Sequence, residues 1–375
     1  MLVNFIDLES QYGVIGDDIN KRIQAVLSHK KFILGPEVQE FESLLADFGQ
    51  AKFALSCANG TDALKLPLMA WGIGPGDAVF CPSFTYCATA ESIAALGATP
   101  VFVDIDRQTY NMDTESLERA ITGTIEDGEL TPRVVMTVDL FGQSADYEKL
   151  APIARAHGLK IIADSAQGLG TTLNAKHPLA WADVTSTSFY PAKPLGCYGD
   201  GGAMLTNDAQ LAELLDSLRV HGKGTDKYDN VHIGMNSRLD TMQAAILIPK
   251  LGVFSDEIQK RERVAKRYID GLTGHVLRVP YVAKGISSTW AQFTIEVENP
   301  DALVAALSAQ SIPAARYYPK PVHLQTAYAH YPRAKGGLSQ TEDSMRKTLS
   351  LPMNPYLSED VQEVIIEAVK VAAMG

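Results

Sequence analysis

Between about residues 50 and 250, short runs rich in β-branched and apolar residues alternate with stretches whose apolar positions recur at helical spacing. The runs fall at residues 53–56, 78–81, 101–103, 134–138, 161–163, 185–189 and 203–206. This alternation predicts an α/β fold: a mostly parallel central sheet flanked by helices on both faces. In such sheets ligands bind beyond the carboxyl ends of the strands. The acidic, turn-rich stretch 124–132 reads as an exposed loop without a chemical role. From Arg238 to about Leu272 the helical spacing returns, with the charged segment 256–263 as a solvated face.

The final third changes character. A strand-like run at 289–297, a helix near 302–310 and a last helix near 361–373 predict a smaller α+β domain. The expected division is a large domain over residues 1–250 and a smaller C-terminal domain over 251–375. A chain of 375 residues has room for both, since single cores stop growing near roughly 250–300 residues.

Composition narrows the function classes. With 46% hydrophobic and 21% charged residues the chain reads as an ordinary soluble globular protein. A net charge of −11 argues against nucleic acid as a partner, because phosphate-backbone binding shows as a basic patch. The first residues lack the pattern of a signal peptide, and no stretch approaches the roughly 18 apolar residues of a membrane span. No membrane partner and a cytoplasmic location are therefore expected. Cys57, Cys81, Cys87 and Cys197 show no metal-like spacing and read as structural thiols.

The chemistry centres on Lys193, in Ser188-Phe-Tyr-Pro-Ala-Lys193-Pro-Leu-Gly-Cys-Tyr-Gly-Asp-Gly-Gly202. Small, aromatic and glycine neighbours leave little solvent to stabilise its charge. Desolvation lowers a lysine pKa and frees the amine to form a Schiff base with an aldehyde. Asp164, 29 residues earlier, ends an apolar strand, where a buried carboxylate needs a cationic partner. The protonated pyridine nitrogen of pyridoxal phosphate is such a partner. Ala58-Asn-Gly60-Thr61-Asp62 links a predicted strand to a predicted helix, so backbone N–H groups would converge there on an anion; an ordinary turn and cap has the same pattern. Pro67 should shorten or kink that helix. Tyr86 lies just beyond the next strand, where its ring could stack on a flat cofactor or simply pack in the core.

Together these motifs resemble the DegT/StrS family of fold-type-I, pyridoxal-phosphate-dependent sugar aminotransferases. The resemblance runs nearly end to end, through Phe32-Ile-Leu-Gly-Pro-Glu37, Asn59-Gly-Thr-Asp-Ala63, Phe84-Thr-Tyr-Cys-Ala-Thr89, Val138-Asp-Leu-Phe-Gly-Gln143, Asp164-Ser-Ala-Gln167, Ser188-Phe-Tyr-Pro-Ala-Lys193 and Asn236-Ser-Arg-Leu-Asp240. Within the family it points to the group that aminates UDP-2-acetamido-2-deoxy-3-oxo-glucuronate for bacterial surface polysaccharide such as O-antigen.

The resemblance implies Lys193 as the Schiff-base lysine and proton carrier, and Asp164 as the partner of the pyridinium proton. Gln167 would contact the ring and Tyr86 stack on it, while Gly60, Thr61 and Ser188 hold the phosphate. Asn236 would reach the phosphate of a neighbouring subunit, which implies a homodimer with shared active sites. L-glutamate would donate the amino group to a nucleotide-sugar acceptor. Arg238 is a candidate for gripping a carboxylate of either substrate; an ion pair with Asp240 is its alternative.

Tyr317 and Tyr318 are further substrate-binding candidates, and Tyr317 stands where a histidine is expected, which weakens the uronate assignment. His323 is a substrate candidate or a satisfied loop residue. Asp139 replaces a histidine common in the family and has no assigned role.

Three other readings remain. One is C4 amination of a 4-keto-6-deoxy sugar nucleotide. The second is a non-catalytic regulator that binds pyridoxal phosphate. The third, a dinucleotide oxidoreductase, lacks a GxGxxG after the first strand.

Overall fold

The computed structural model describes residues 3–226 and 228–373. Two helices, α1 (Leu8–His29) and α2 (Pro36–Phe48), precede the central sheet. Then follow β1 (Phe53–Cys57), α3 (Gly60–Ala70), β2 (Asp77–Pro82), α4 (Ala88–Ala94), β3 (Thr99–Val103), α5 (Thr114–Asp127), β4 (Thr131–Val138), α6 (Tyr147–Ala156) and β5 (Lys160–Asp164). A short β6 (Thr172–Leu173) leads to β7 (Val184–Ser188), β8 (Gly202–Thr206), α7 (Ala209–Leu218) and the long α8 (Thr241–Leu272). The C-terminal part holds β9 (Ile286–Ser287), β10 (Phe293–Glu296), α9 (Pro300–Ser308), α10 (Ser339–Lys347), β11 (Thr348–Leu351) and α11 (Glu359–Ala373).

The central sheet has the order β1-β8-β7-β5-β4-β2-β3. Its internal pairs β2/β3, β2/β4, β4/β5 and β5/β7 are parallel, and only β8 runs against its neighbours β1 and β7. All seven strands predicted from the apolar runs are present. Parallel strands buried on both faces explain why those runs are continuous rather than alternating. Phe80, Val101, Val135 and Ile161 pack under α5 and α6 on one face. Val79, Phe102, Met136 and Ile162 meet α3 and α4 on the other.

Helix α8 joins two cores. Its first half contributes Ala244, Leu247, Leu251 and Phe254 to a cluster with α2 and β8, and its second half contributes Val264, Ala265, Tyr268 and Leu272 to the C-terminal core. That C-terminal core covers a two-stranded antiparallel sheet of β10 and β11. A clasp ties it to the large sheet. Glu296 of β10 takes a bidentate contact from Arg107, a bond from Arg278 at 2.6 Å and one from the Tyr110 hydroxyl at 2.8 Å. Burial alone would raise the Glu296 pKa, but these donors hold it below the usual carboxylate value.

Three expectations need correction. The stretch 124–132 is not a loop throughout: α5 continues to Asp127, Gly128 stops it in the left-handed conformation at φ 70°, and β4 begins at Thr131. Glu126, one of the acidic residues that suggested a loop, lies in the helix and pairs with Lys335 at 2.8 Å. The strand expected over 289–297 shrinks to Phe293–Glu296, because Thr289 turns away to donate its backbone N–H to Gly142. Helix α3 runs through Pro67 to Ala70. A proline there cannot donate to the carbonyl four residues back, and the Ser186 hydroxyl on β7 donates to that Ala63 carbonyl at 2.6 Å in its place.

Ser186→Ala should therefore leave a buried carbonyl unpaired. The expected loss is about 1–3 kcal/mol of stability, read as a lower urea midpoint with an unchanged slope. An unchanged midpoint would show that Ala63 needs no side-chain donor.

Candidate active site

The site lies where the parallel strands end. β5 delivers Asp164, β7 delivers Ser188, and the turn between β1 and α3 delivers Gly60 and Thr61. Asn59 caps α3: its side-chain oxygen accepts from Asp62 N at 2.8 Å and its carbonyl from Ala63 N at 3.1 Å. The cap leaves the N–H groups of Gly60 and Thr61 outside the helix's own bonds, at the positive end of its dipole.

Gly60 is required by contact. A Cβ there would lie 2.5 Å from Ser188 Cβ, and one on Gly202 would lie 2.4 Å from the Asn59 carbonyl oxygen. The two glycines let strand and helix close into a cradle of backbone N–H and hydroxyl donors without any lysine, which suits a phosphate.

Asp164 is 6% exposed. One oxygen accepts from the Thr89 hydroxyl at 3.1 Å and the other from Ala166 N at 3.1 Å. Thr85 lies 3.0 Å from Thr89, so two hydroxyls in series support the carboxylate. Burial pushes the Asp164 pKa up, and Ala166 N–H, Lys193 and Thr89 pull it back. Lys193 is crowded by protein atoms; burial lowers its pKa and the Asp164 charge opposes that shift. An amine whose pKa burial lowers and a buried carboxylate thus lie near enough to influence each other's charge. The donor and acceptor set fits pyridoxal phosphate: cradle for phosphate, Asp164 for a protonated ring nitrogen, Lys193 for the aldehyde carbon.

The turn that presents Lys193 is held from behind. Lys193 N donates to the Tyr190 carbonyl at 2.8 Å and Cys197 N to the Phe189 carbonyl at 2.8 Å. Lys250 of α8, 1% exposed, donates to the Gly196 carbonyl at 2.7 Å and sits 4.3 Å over the Tyr198 ring. Its pKa falls to about 8 through burial. Sequence reading passed over Lys250; the signal was a lone cation inside the apolar run of α8.

The other candidates divide. Gln167 is buried, accepts from Phe141 N at 2.7 Å and donates to the Tyr318 hydroxyl at 3.0 Å. Those two bonds fix the orientation of its amide and leave one N–H and one lone pair free of them. Tyr318 packs edge-on to Phe84 with centroids 6.0 Å apart, and Tyr317 stands half-buried beside it. Tyr86 is 59% exposed, on the open side of the site rather than in the core.

Arg238 is half-buried, and among the described residues no carboxylate pairs with it, so the Asp240 alternative is not formed. Asn236 is exposed, and the adjacent Ser237 donates to Asp62 of α3 at 2.7 Å. His323 does not join the group. Its Nδ1 meets the Ser83 hydroxyl at 2.6 Å and its Nε2 stands 3.4 Å from Glu342, so the substrate role gives way to that of a satisfied, buried histidine.

Comparisons with known proteins bear on the family. The model of the DegT/DnrJ/EryC1/StrS aminotransferase family matches residues 14–370. A protein of Pseudomonas aeruginosa named UDP-2-acetamido-2-deoxy-3-oxo-D-glucuronate aminotransferase is 44% identical over 367 residues, 98% of this chain and 99% of the relative. The crystal structure of a DegT DnrJ EryC1 StrS aminotransferase from Brucella abortus is 52% identical with a TM-score of 0.97, covering 99% of this chain and 100% of that one. NtdA from Bacillus subtilis, solved with bound cofactor PMP, is 28% identical with a TM-score of 0.88, covering 99% of this chain and 83% of that one. The chain belongs to the DegT/DnrJ/EryC1/StrS aminotransferase family.

Proposed function

We propose that this protein is a pyridoxal-phosphate-dependent aminotransferase that moves an amino group from L-glutamate to the 3-keto group of a UDP-linked 2-acetamido uronic acid. The observation that carries the aminotransferase reading is the half-buried Lys193 coupled to the buried Asp164, together with the Gly60 cradle. The relative from Pseudomonas aeruginosa supports the choice of sugar. Surface polysaccharide synthesis in the cytoplasm is the setting this reading implies.

Pyridoxal phosphate, when bound, supplies an aldehyde that takes up the amino group and a cationic ring that withdraws electrons from the adjacent carbon. Asp164 holds the proton on the ring nitrogen, and Thr89 and Ala166 N–H keep that carboxylate in its ionised orientation. Lys193, whose pKa burial lowers against the pull of Asp164, moves a proton to and from the carbon that bears the amino group. Gly60, Thr61 and Ser188 bind the phosphate and fix the ring in register with both. Tyr86 and Gln167 would contact the ring. Arg238, the half-buried cation without an internal partner, grips the substrate carboxylate, and Tyr317 and Tyr318 offer hydroxyls to the sugar.

A homodimer completes the reading. Ile233 is 93% exposed, and Phe32, Ile33 and Leu34 are exposed as well. Apolar residues so placed suit burial against a second copy that brings Asn236 to the neighbouring phosphate.

Lys193→Ala should abolish the borohydride-sensitive visible band and the transfer reaction while the protein stays folded. Asp164→Asn should keep the band but lower the rate with glutamate by on the order of 10²-fold or more. Full activity in the lysine variant would refute the assignment.

Mixing inactive Lys193→Ala and Asn236→Ala chains from separated monomers should restore activity in heterodimers carrying one intact site. No recovery in verified heterodimers would place Asn236 in its own subunit's site.

Arg238→Ala should weaken a UDP-keto-uronate by roughly 2–5 kcal/mol in kcat/KM and a neutral UDP-keto-hexose far less. Equal losses on both sugars would assign Arg238 to the glutamate carboxylate.

A further inference from the structure

Asp139 follows β4 and is fully buried. Its Oδ1 accepts from Ala145 N at 2.9 Å and from the Tyr147 hydroxyl at 2.9 Å, and its Oδ2 accepts from the Ser165 hydroxyl. Its own backbone N–H donates to the Asp164 carbonyl at 2.9 Å. Ser165 is the residue after Asp164, so side chain and backbone of Asp139 both grip the end of the strand that carries Asp164. Gly168 makes room for this carboxylate, since a Cβ there would lie 2.3 Å from Asp139 Cβ.

Every donor to Asp139 is neutral, and among the described residues no cation pairs with it. The titratable groups facing it are Asp164 from β5 and Tyr147 from α6; the loop before α6 and Gly168 offer only uncharged groups. A buried charge without a local counter-ion acts on the nearest positive group. Asp139 acts on Asp164, and Asp164 in turn on Lys193, so the charge of Asp139 reaches the cofactor side of the site through Asp164.

Resting on the aminotransferase reading above, we propose that Asp139 is a positioning residue for the reaction: it fixes Ser165 and so the backbone that carries Asp164, and its ionisation sets the charge standing behind Asp164. With Asp139 ionised, a positive charge on the cofactor side of Asp164 is favoured. With Asp139 protonated, that support is withdrawn.

Burial raises the Asp139 pKa to about 7, against about 3.9 in an unfolded chain. Between about pH 4 and pH 7 the folded chain keeps a proton that the unfolded chain has released. The Asp139 contribution to stability therefore falls as pH rises through that window and is flat above it. An asparagine has no such dependence.

The experiment uses the holoenzyme and its Asp139→Asn variant. The difference in Tm, variant minus parent, should rise by about 2 °C or more between pH 5 and pH 8 at fixed protein concentration and scan rate. The pH midpoint of the cofactor's visible band should move to lower pH in the variant, because a negative charge near the cofactor's cation has been removed. A Tm difference that is flat with pH, or an unmoved midpoint, overturns the proposal. Ser165→Ala cuts the side-chain link and removes a donor that favours the ionised Asp139. It should move the midpoint in the same direction as Asp139→Asn and lower the rate with glutamate, and an unchanged rate overturns the positioning role even if Asp139→Asn fails to fold. A parent protein without a visible band or a reaction with glutamate would instead refute the aminotransferase reading, and the Tm comparison would still report on Asp139.

Discussion

A carboxylate buried at the end of a parallel strand is the constraint around which this fold is arranged. Asp164 is 6% exposed, and its charge would be costly there without donors and a cation. Thr89 and Ala166 N–H supply the donors, and Lys193 supplies a positive neighbour whose own charge is weakened by burial. The pair is only partly compensated within the chain. A cationic ring bound beside Asp164 would supply the compensation that the protein leaves incomplete.

The rest of the large sheet makes that geometry rigid. β5 is flanked by β4 and β7 in parallel register, with Val138 opposite Asp164 and Ser186 opposite it on the other side. Neighbouring strand ends thus deliver their residues to one place. The same strands repair defects that the sequence introduces: Ser186 takes the carbonyl that Pro67 leaves free, and Gly60 and Gly202 permit a close approach that any Cβ would block. Lys250 reaches from α8 to the Gly196 carbonyl, linking the Lys193 turn to the one helix shared by both cores.

The C-terminal part is positioned as firmly. Glu296 is gripped by Arg107 and Tyr110 of the large sheet's loops and by Arg278, and Arg107 also reaches Asp343 at 3.2 Å. Gln167 bridges the site to Tyr318 across the same junction. The spacing of the two parts is set by polar contacts as well as by apolar packing, and such contacts tolerate little displacement.

The sequence by itself determined the strands of the central sheet and the helix through residues 241–272, and it singled out Lys193, Asp164 and the Gly60 turn as candidates. These are local signals: apolar runs, glycines and a lysine without polar neighbours. It misjudged residues 124–132 and 289–297, where composition resembled a loop and a strand but a left-handed Gly128 and the Gly142 contact drew the boundaries. It also left Asp139, Lys250 and Thr89 without roles, and held His323 and Arg238 open. Those answers depend on partners far apart in the chain, such as Ser83 for His323 and Gly196 for Lys250. Only the tertiary structure could decide them, because the state of a buried polar group follows from the donors and charges that folding places around it, and residue order carries no direct record of that neighbourhood.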